Sequence, residues 1–492
     1  MNVFVAALVA FLSGSEAGIS WDVPYEYRLG FSHLSDITLD GTDALLGQNS
    51  WLEQRFRLSP SVSWKPLTLK IEFDTFDGIV DGDVTSAAVA HSRVARSHKR
   101  GWAVDRFNLR EAYLLADTPY GRIAAGQMAA KWGLGLVSND GRAKPAFGEA
   151  RGGDITERVY AATKPLKPVL KTGFFSDLAV AAGADYVIAD AVAQNAKGDI
   201  AWQVFAALMH EPEKAGGDRG GLYYARRWQT DRDGARLDVN VLDAFVEESR
   251  TFEFEKGALT LYWAAEGAYV FGSTGMVTNL AAPEGQEIRE WGFVGRGGLR
   301  AGGADVHVDL GHASGDGNPF DAEINAFKFN PEFREGMILF GEVLAFQSAA
   351  AERRFDRPDL LAVPPEGTQL LGTNGAITNA TFLAIAGSAV FAKLWRLDLA
   401  VVLAEAARDI IDPFYTFRAG EARNFLDGKA GGNYLGTEID VGLERRIPVV
   451  KDLNVRVRLE YGHLFAGEAF ADRLGRPHAD VDLVYGRLSI EK

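Results

Sequence analysis

The stretch from Leu435 to Phe470, LGTEIDVGLERRIPVVKDLNVRVRLEYGHLFAGEAF, alternates polar and apolar residues through two runs joined by a short connection. Side chains of a β-strand point alternately to its two faces, so each run has one polar face and one apolar face. In the first run the polar face carries Glu438, Asp440 and Glu444. The apolar face carries Leu435, Ile439, Val441 and Leu443. The pattern predicts a β-hairpin with lipid on one side and water on the other, as in a membrane β-barrel.

The same alternation recurs along the whole chain. It predicts an all-β, antiparallel up-and-down transmembrane barrel of about eighteen strands with long outer loops. The predicted strands are residues 23–35, 50–64, 67–78, 102–117, 120–133, 154–165, 174–189, 199–211, 221–231, 235–248, 258–272, 288–301, 304–312, 377–391, 394–409, 433–447, 453–467 and 480–491. Short and long connections largely alternate between them, as expected of bacterial barrels.

Residues 313–376 decide the strand count. The alternation of connections requires this segment to be one large outer loop, although it contains the apolar run GMILFGEVLAF. A loop of this length without structure is unusual, so we expect a helix, a short hairpin or a plug folded into the barrel mouth. The alternative is two further strands and a twenty-stranded barrel.

Composition limits the class of protein. The chain has 492 residues, no cysteine and a formal net charge of −14. It therefore has neither disulfides nor thiolate metal sites, and its acidity argues against a nucleic-acid partner. Residues 1–17 combine an apolar stretch with small residues, which predicts a secretory signal peptide, with an ordinary first strand as the alternative. We expect residues 18–492 to form a single outer-membrane barrel, monomeric and in contact with outer-membrane lipid.

Charged residues follow the polar faces of the predicted strands, so they are candidates for the lumen and the solute path. They are Arg55, Arg57, Arg106, Arg110, Arg122, Arg236, Arg296, Arg300, Arg456, Arg458, Glu438, Asp440 and Glu444. One interpretation is structural: ion pairs such as that of Glu444 with Arg456 brace the barrel wall.

The other interpretation is functional. Arg106, Arg110 and Arg122 fall on adjoining strands, and the next outer loop adds Arg142, Lys144 and Arg151. Fixed guanidinium groups in a constriction attract carboxylates and phosphates, so these residues are a candidate basic track for anions. A second basic loop, AHSRVARSHKRG at residues 90–101, is a candidate contact for anions or lipid phosphates, with a solvated loop as the alternative.

Motifs for covalent chemistry are not found. The sequence has eight histidines, no GxSxG elbow and no HExxH helix, so we expect no enzyme activity, no cofactor and no metal site. His307, two residues before Asp309, and His463 are interpreted as wall histidines. The segment SGDGNPFDAE offers Asp316, Asn318, Asp321 and Glu323 as oxygen ligands for calcium, but a turn built for backbone reasons explains the same residues.

Three pieces of the sequence resemble the alginate-export family of outer-membrane barrels. They are GTEIDV at 436–441, YGHLFAGEAF at 461–470 and LGHASGDGNPFD at 310–321. The resemblance implies a monomeric eighteen-stranded barrel that exports an anionic polysaccharide through an arginine-lined conduit gated by loops. We therefore expect a porin or channel of the cell outer membrane for passive transport or export of hydrophilic or anionic solutes or polysaccharide. A plugged docking barrel with periplasmic envelope proteins as partners and an outer-membrane barrel hydrolase are the alternatives.

Overall fold

The computed structural model describes residues 13–16, 18–46, 50–82, 103–143, 145–149, 152–212, 217–255, 257–279, 281–354, 372–450 and 453–492. Within these residues, eighteen wall strands form one closed antiparallel β-barrel. The strands are β1 (Tyr25–Leu34), β2 (Ser50–Leu58), β3 (Leu67–Gly82), β4 (Asn108–Thr118), β5 (Gly121–Ala130), β6 (Asp154–Thr163), β7 (Leu178–Ala189), β8 (Ile200–His210), β9 (Arg219–Thr230), β10 (Arg236–Phe254), β11 (Gly257–Thr274), β12 (Gln286–Ala301), β13 (Ala304–Ala313), β14 (Ala380–Phe391), β15 (Trp395–Ala406), β16 (Tyr434–Val450), β17 (Leu453–Ala466) and β18 (Val481–Glu491).

Each wall strand pairs with its neighbour in sequence, and β18 pairs with β1 to close the barrel. Every predicted strand overlaps one of these strands, so the eighteen-stranded antiparallel barrel is confirmed. Short additional strands extend the wall at Ser13–Glu16, Ile19–Asp22, Ser61–Trp64, Ala103–Asp105 and Glu323–Ile324. The predicted signal peptide lies largely outside the described residues and stays a prediction; of residues 1–17, only Ser13–Glu16 are described.

The wall separates an apolar outer surface from an interior that holds both charged side chains and a large apolar cluster. In β16, Glu438, Asp440 and Glu444 are buried on the inner face, whereas Ile439, Val441 and Leu443 between them point outward and are exposed. Exposed apolar residues on the outward face recur around the barrel, for example Leu222 and Leu459. The predicted alternation between the two faces therefore holds from Glu438 to Glu444.

Two stretches depart from that alternation. Leu435 was expected to face outward, but a β-bulge at the start of β16 turns it inward, and Gly436 there has a φ of +142°, which favours glycine. In β10, Leu237 and Val239 are buried in a cluster with Ile288, and the alternation therefore places Arg236 on the outward face. The prediction that Arg236 faces the lumen is therefore wrong. At the long-loop end of β10 the inner face carries apolar side chains that loops cover, so the polar face of the strand points outward.

In the described part of the chain, the helical segments lie in the connections. They are a π-helical segment Leu339–Leu344, α1 (Ala345–Arg354), α2 (Pro413–Ala419) and the short 3-10 helices Phe174–Asp177, Asn195–Lys197 and Glu468–Phe470. Among the described residues, no helix combines the length and the apolar character needed to cross a membrane.

The run GMILFGEVLAF forms helix inside the barrel and adds no strand to the wall. Ile338, Leu339, Phe340 and Val343 belong to a large buried apolar cluster together with wall residues such as Phe382. Residues 355–371 lie outside the described part of the chain. The described residues of the 313–376 segment therefore do not form the two wall strands of the twenty-stranded alternative.

Candidate functional site: an arginine-lined cavity in the lumen

Two connections at the long-loop end of the barrel fold into the lumen. The first joins β5 to β6, and the second joins β13 to β14. The Glu266 carboxylate of β11 accepts hydrogen bonds from the backbone N–H groups of Leu134, Gly135 and Leu136. Three consecutive N–H donors find their acceptor on this one side chain, so it holds the first connection against the wall.

The second connection is held in the same way. Glu438 of β16 accepts hydrogen bonds from the backbone N–H groups of Met337, Ile338 and Leu339, with distances of 2.7 and 2.8 Å for the last two. The predicted lumen residue Glu438 therefore anchors an inward segment. Asp440 is buried beside it, where the side chain of Ile338 also approaches the wall at Gly462.

Between the first connection and the wall lies a cavity of about 270 Å³. Its wall comes from β15–β18 and β1–β3, and residues 141–143 and 145–149 of the connection close the opposite side. Eight arginines and five glutamates line it: Arg28, Arg55, Arg57, Arg142, Arg396, Arg456, Arg458 and Arg487, with Glu26, Glu72, Glu149, Glu444 and Glu491. The cavity therefore has an excess of three positive charges, inside a chain whose net charge is negative.

Glu149 connects the inward segment to the wall. Its carboxylate lies 3.2 Å from Arg28 and 3.1 Å from Arg487. Burial alone would raise the pKa of Glu149, but Arg28, Arg487 and Arg55 outweigh that effect and hold the pKa well below its usual range. Glu149 is therefore ionised, and its contacts keep the segment docked on the arginines.

Several guanidinium donors in this cavity have no protein partner. They are Nε of Arg28, Nε and Nη1 of Arg55, Nε of Arg456 and Nε of Arg487. The other nitrogens of these groups are paired, for example Arg456 with Glu444 at 3.3 Å and Arg55 with Glu26 at 3.2 Å. Buried donors without a partner are costly, and the positive charge of the same arginines, which line the cavity, favours an anion here.

A second cavity, of about 290 Å³, continues from the first toward the short-turn end. It shares Glu26, Arg57 and Glu491 with the arginine-lined cavity and extends to Pro24 and Lys492. The shared residues place the two cavities next to each other along the barrel axis. Together they outline a polar route from the inward segment to the short-turn end of the lumen.

The structure brings some of the predicted lumen residues together. Arg55, Arg57, Arg456, Arg458 and Glu444 all line the arginine-lined cavity. The proposed pair of Glu444 with Arg456 forms, and Arg458 binds Asp398 at 2.6 Å. Arg57 binds Asp74 through two nitrogens, at 2.7 and 2.8 Å. These residues brace the wall and line the cavity at the same time, so the two interpretations are compatible.

Other predicted residues lie elsewhere in the barrel. Arg296 binds Asp309 of the facing strand and lies 3.6 Å from Glu335 of the inward segment, whereas Arg300 pairs with Asp305 nearer the short-turn end. The cavity lining does not include Arg296 or Arg300, nor the predicted lumen residues Glu438 and Asp440.

The three arginines of the candidate basic track are spread along the barrel. Arg110 is buried and bound to Glu72 at 3.0 Å and to the carbonyl oxygens of Asp140 and Gly152. Arg122 pairs with Asp117 at the short-turn end, and Arg106 is exposed before β4 begins. Lys144, Arg151 and residues 90–101 lie outside the described residues. Arg142, by contrast, does reach the cavity and binds Glu72 at 3.0 Å.

Sequence reasoning missed Arg28, Arg487 and Glu149. Arg28 and Arg487 lie on the polar faces of β1 and β18, where the same alternation could have found them. Glu149 lies in a connection, and no periodic signal indicates that it returns to the wall.

The candidate calcium segment forms turns. Asp316 accepts hydrogen bonds from the backbone N–H groups of Asn318 and Asn325, and Asp321 accepts from that of Glu323. Within the described residues, no group of three or more histidine and acidic side chains is placed to hold a metal ion. The backbone contacts agree with the turn interpretation.

No protein-family model and no curated protein sequence matches this chain. Among solved structures, Pseudomonas aeruginosa OpdQ aligns over 96% of this chain and 97% of its own, with 8% identity and a TM-score of 0.48. Pseudomonas aeruginosa OccK8 (OprE) aligns over 96% and 98%, with 11% identity and a TM-score of 0.49. Pseudomonas aeruginosa OpdK with vanillate aligns over 96% and 98%, with 12% identity and a TM-score of 0.48. At these levels the comparisons carry no argument about function, and they give no specific support to the alginate-export resemblance.

Proposed function

We propose that this chain is an outer-membrane channel through which small hydrophilic anions diffuse passively. The observation that carries the proposal is the arginine-lined cavity, in which eight arginines face five glutamates and leave an excess of three positive charges. The outward apolar surface of the closed barrel supports a location in a membrane, because a protein in water would bury such side chains.

Carboxylates and phosphates are the solutes that this cavity suits best. A guanidinium group offers planar, paired donors that match two oxygens of such an anion. The five glutamates already occupy some of these donors, which limits how tightly an anion is held. Moderate binding is what conduction needs, since a solute must enter the site and also leave it.

Export of an anionic polysaccharide is a narrower version of the same proposal. The sequence pieces that resemble the alginate-export family support it, and a sugar polymer with carboxylates would meet the same arginines. A cavity of about 270 Å³ closed by residues 141–143 and 145–149 favours a small solute. A polymer would require that segment to leave the lumen.

Planar-bilayer recordings of the purified, refolded protein test the proposal. We expect a steady conductance, a reversal potential in a potassium chloride gradient that indicates anion preference, and a current reduced by small added carboxylates. Arg55→Gln should weaken both the preference and the block. Arg226→Gln is the matched control, because Arg226 pairs with Asp238 on the outward face.

The alternative functions give different results. Electrical silence of correctly folded protein would favour the docking barrel with periplasmic partners. Block by an anionic polysaccharide, but not by small carboxylates, would favour polymer export. Ester hydrolysis by the pure protein would favour the hydrolase.

A further inference from the structure

The connection between β6 and β7, residues 164–177, is the longest at the short-turn end of the described barrel. Its sequence is KPLKPVLKTGFFSD. Five large apolar side chains in it are exposed, with exposed fractions of 40% for Leu166, 79% for Val169, 42% for Leu170, 60% for Phe174 and 60% for Phe175. A water-exposed surface of this kind marks a binding surface for a membrane or a partner.

The segment is held by its own contacts. The backbone N–H groups of Val169 and Leu170 both donate to the carbonyl oxygen of Leu166. The ring of Phe174 stacks on His210 of β8 at 4.4 Å with an interplanar angle of 11°. The apolar side chains are therefore presented in a fixed arrangement.

The exposed apolar surface of the segment continues that of the wall. Val180 of β7 and Leu208 of β8 are cross-strand partners on the outward face, and both are exposed just beyond the segment. On the other side, Thr163 donates a hydrogen bond to the carbonyl oxygen of Tyr120, whose ring is 88% exposed. If lipid covers the wall, it also reaches this segment.

The charges of the segment fit a phospholipid surface. Lys164, Lys167 and Lys171 alternate with the apolar residues, and the only acidic residue is Asp177 at the end. Lysines beside apolar side chains are the arrangement with which interfacial segments bind phosphate headgroups and insert among acyl chains.

We propose that residues 164–177 bind the phospholipid leaflet around the short-turn end of the barrel. Val169 and Phe175 enter the upper acyl region, and the lysines contact headgroup phosphates. The segment thereby fixes the depth and the tilt of the barrel on this side. The inference depends on the membrane location of the wall, and the test includes a separate control for that location.

The absence of cysteine from the chain permits single-cysteine spin labels on the full-length protein. Val169→Cys and Phe175→Cys report on the segment. Leu208→Cys reports on the lipid-facing wall, and Asp233→Cys on an exposed turn at the long-loop end. The protein is reconstituted into vesicles of phosphatidylethanolamine and phosphatidylglycerol, and collisions with oxygen and with a water-soluble nickel chelate are compared.

We expect the labels at 169 and 175 to collide with the nickel chelate several-fold less often than the label at 233. Equal accessibility at 169 and 233, with the label at 208 protected, would overturn the proposal while leaving the membrane location intact. Protection that appears only after periplasmic extract is added would also overturn it, in favour of a protein partner. An accessible label at 208 would reject the membrane location as well.

A charge variant tests the lysines. Lys167→Gln with Lys171→Gln should make the label at 169 more accessible in vesicles that contain phosphatidylglycerol. The same pair of substitutions should have little effect in phosphatidylcholine vesicles. An unchanged accessibility in the anionic vesicles would overturn the assignment of the lysines to headgroup phosphates.

Discussion

Replacing Glu149 with glutamine should loosen residues 145–149 and make the channel more selective for anions. The Glu149 carboxylate lies 3.2 Å from Arg28 and 3.1 Å from Arg487, and all three side chains are largely buried. Removing one partner of a buried ion pair costs about 3–5 kcal/mol. We take about 3 kcal/mol, because the glutamine oxygen keeps a neutral hydrogen bond. That is roughly a hundredfold change in the ratio of docked to undocked segment.

The same substitution also changes the charge of the cavity. Glu149 is one of five glutamates facing eight arginines, so the excess positive charge rises from three to four. A unit charge about 8 Å from a passing ion, at an effective dielectric constant of about 40, changes the energy of that ion by about 1 kcal/mol. Chloride should therefore gain about fivefold in local concentration, and potassium should lose a comparable factor.

Single-channel recordings in a potassium chloride gradient separate the two effects. Glu149→Gln should shift the reversal potential toward that of chloride and increase the current fluctuations. Glu149→Asp keeps the charge but shortens the side chain, so it should increase the fluctuations alone. Glu287→Gln, on the outward face of β12, is the control for charge removal. An unchanged reversal potential and unchanged fluctuations in Glu149→Gln would refute the role assigned to this residue.

Three further predictions concern the inward segment between β13 and β14. Burial, together with Asp309, raises the pKa of Glu335 well above its usual range, so this residue ionises beside Asp309 only as pH rises through that raised pKa. We therefore expect the conductance of the natural protein to rise with pH on the alkaline side, and Glu335→Gln should remove this pH dependence. The same pH profile of conductance in the two proteins would contradict the prediction. Glu438→Ala removes the acceptor of the three backbone N–H groups of residues 337–339. Each buried N–H group left without an acceptor lowers stability by about 1–3 kcal/mol. Limited proteolysis should then cut this segment faster, and an unchanged cleavage rate would argue against the anchor. Replacing residues 325–376 by a short glycine–serine linker should raise conductance in protein that still shows heat-modifiable migration, and an unchanged current would show that the segment is not part of the gate.

The wall strands could be predicted from sequence because the contrast between their two faces is local. In β13, DVHVDL places Asp305, His307 and Asp309 on one face and valines and leucine on the other, and the structure keeps this division. The period-two pattern fails where the surroundings change. Leu237 and Val239 are buried by loops, so there the apolar face of the strand is no longer the outward face.

The cavity could be predicted only in part. Arg55, Arg57, Arg456 and Arg458 follow from the polar faces of their strands, because a strand determines where its side chains point. The position of Glu149, the partner of Arg28 and Arg487, depends on where a connection folds after it leaves the wall, and these contacts join residues more than a hundred positions apart. Such long-range placement leaves no periodic trace in the sequence.

The pairing of β18 with β1 has a consequence for biogenesis. Nine residue pairs, from Leu483 with Leu34 to Glu491 with Glu26, join the two ends of the chain. Before β18 (Val481–Glu491) has been synthesised, the first wall strand has no partner on one side, and its backbone groups would be orphaned in hydrocarbon. Closure of the barrel wall must therefore follow the synthesis of β18. A truncation of only these residues should abolish insertion, although seventeen strands would remain.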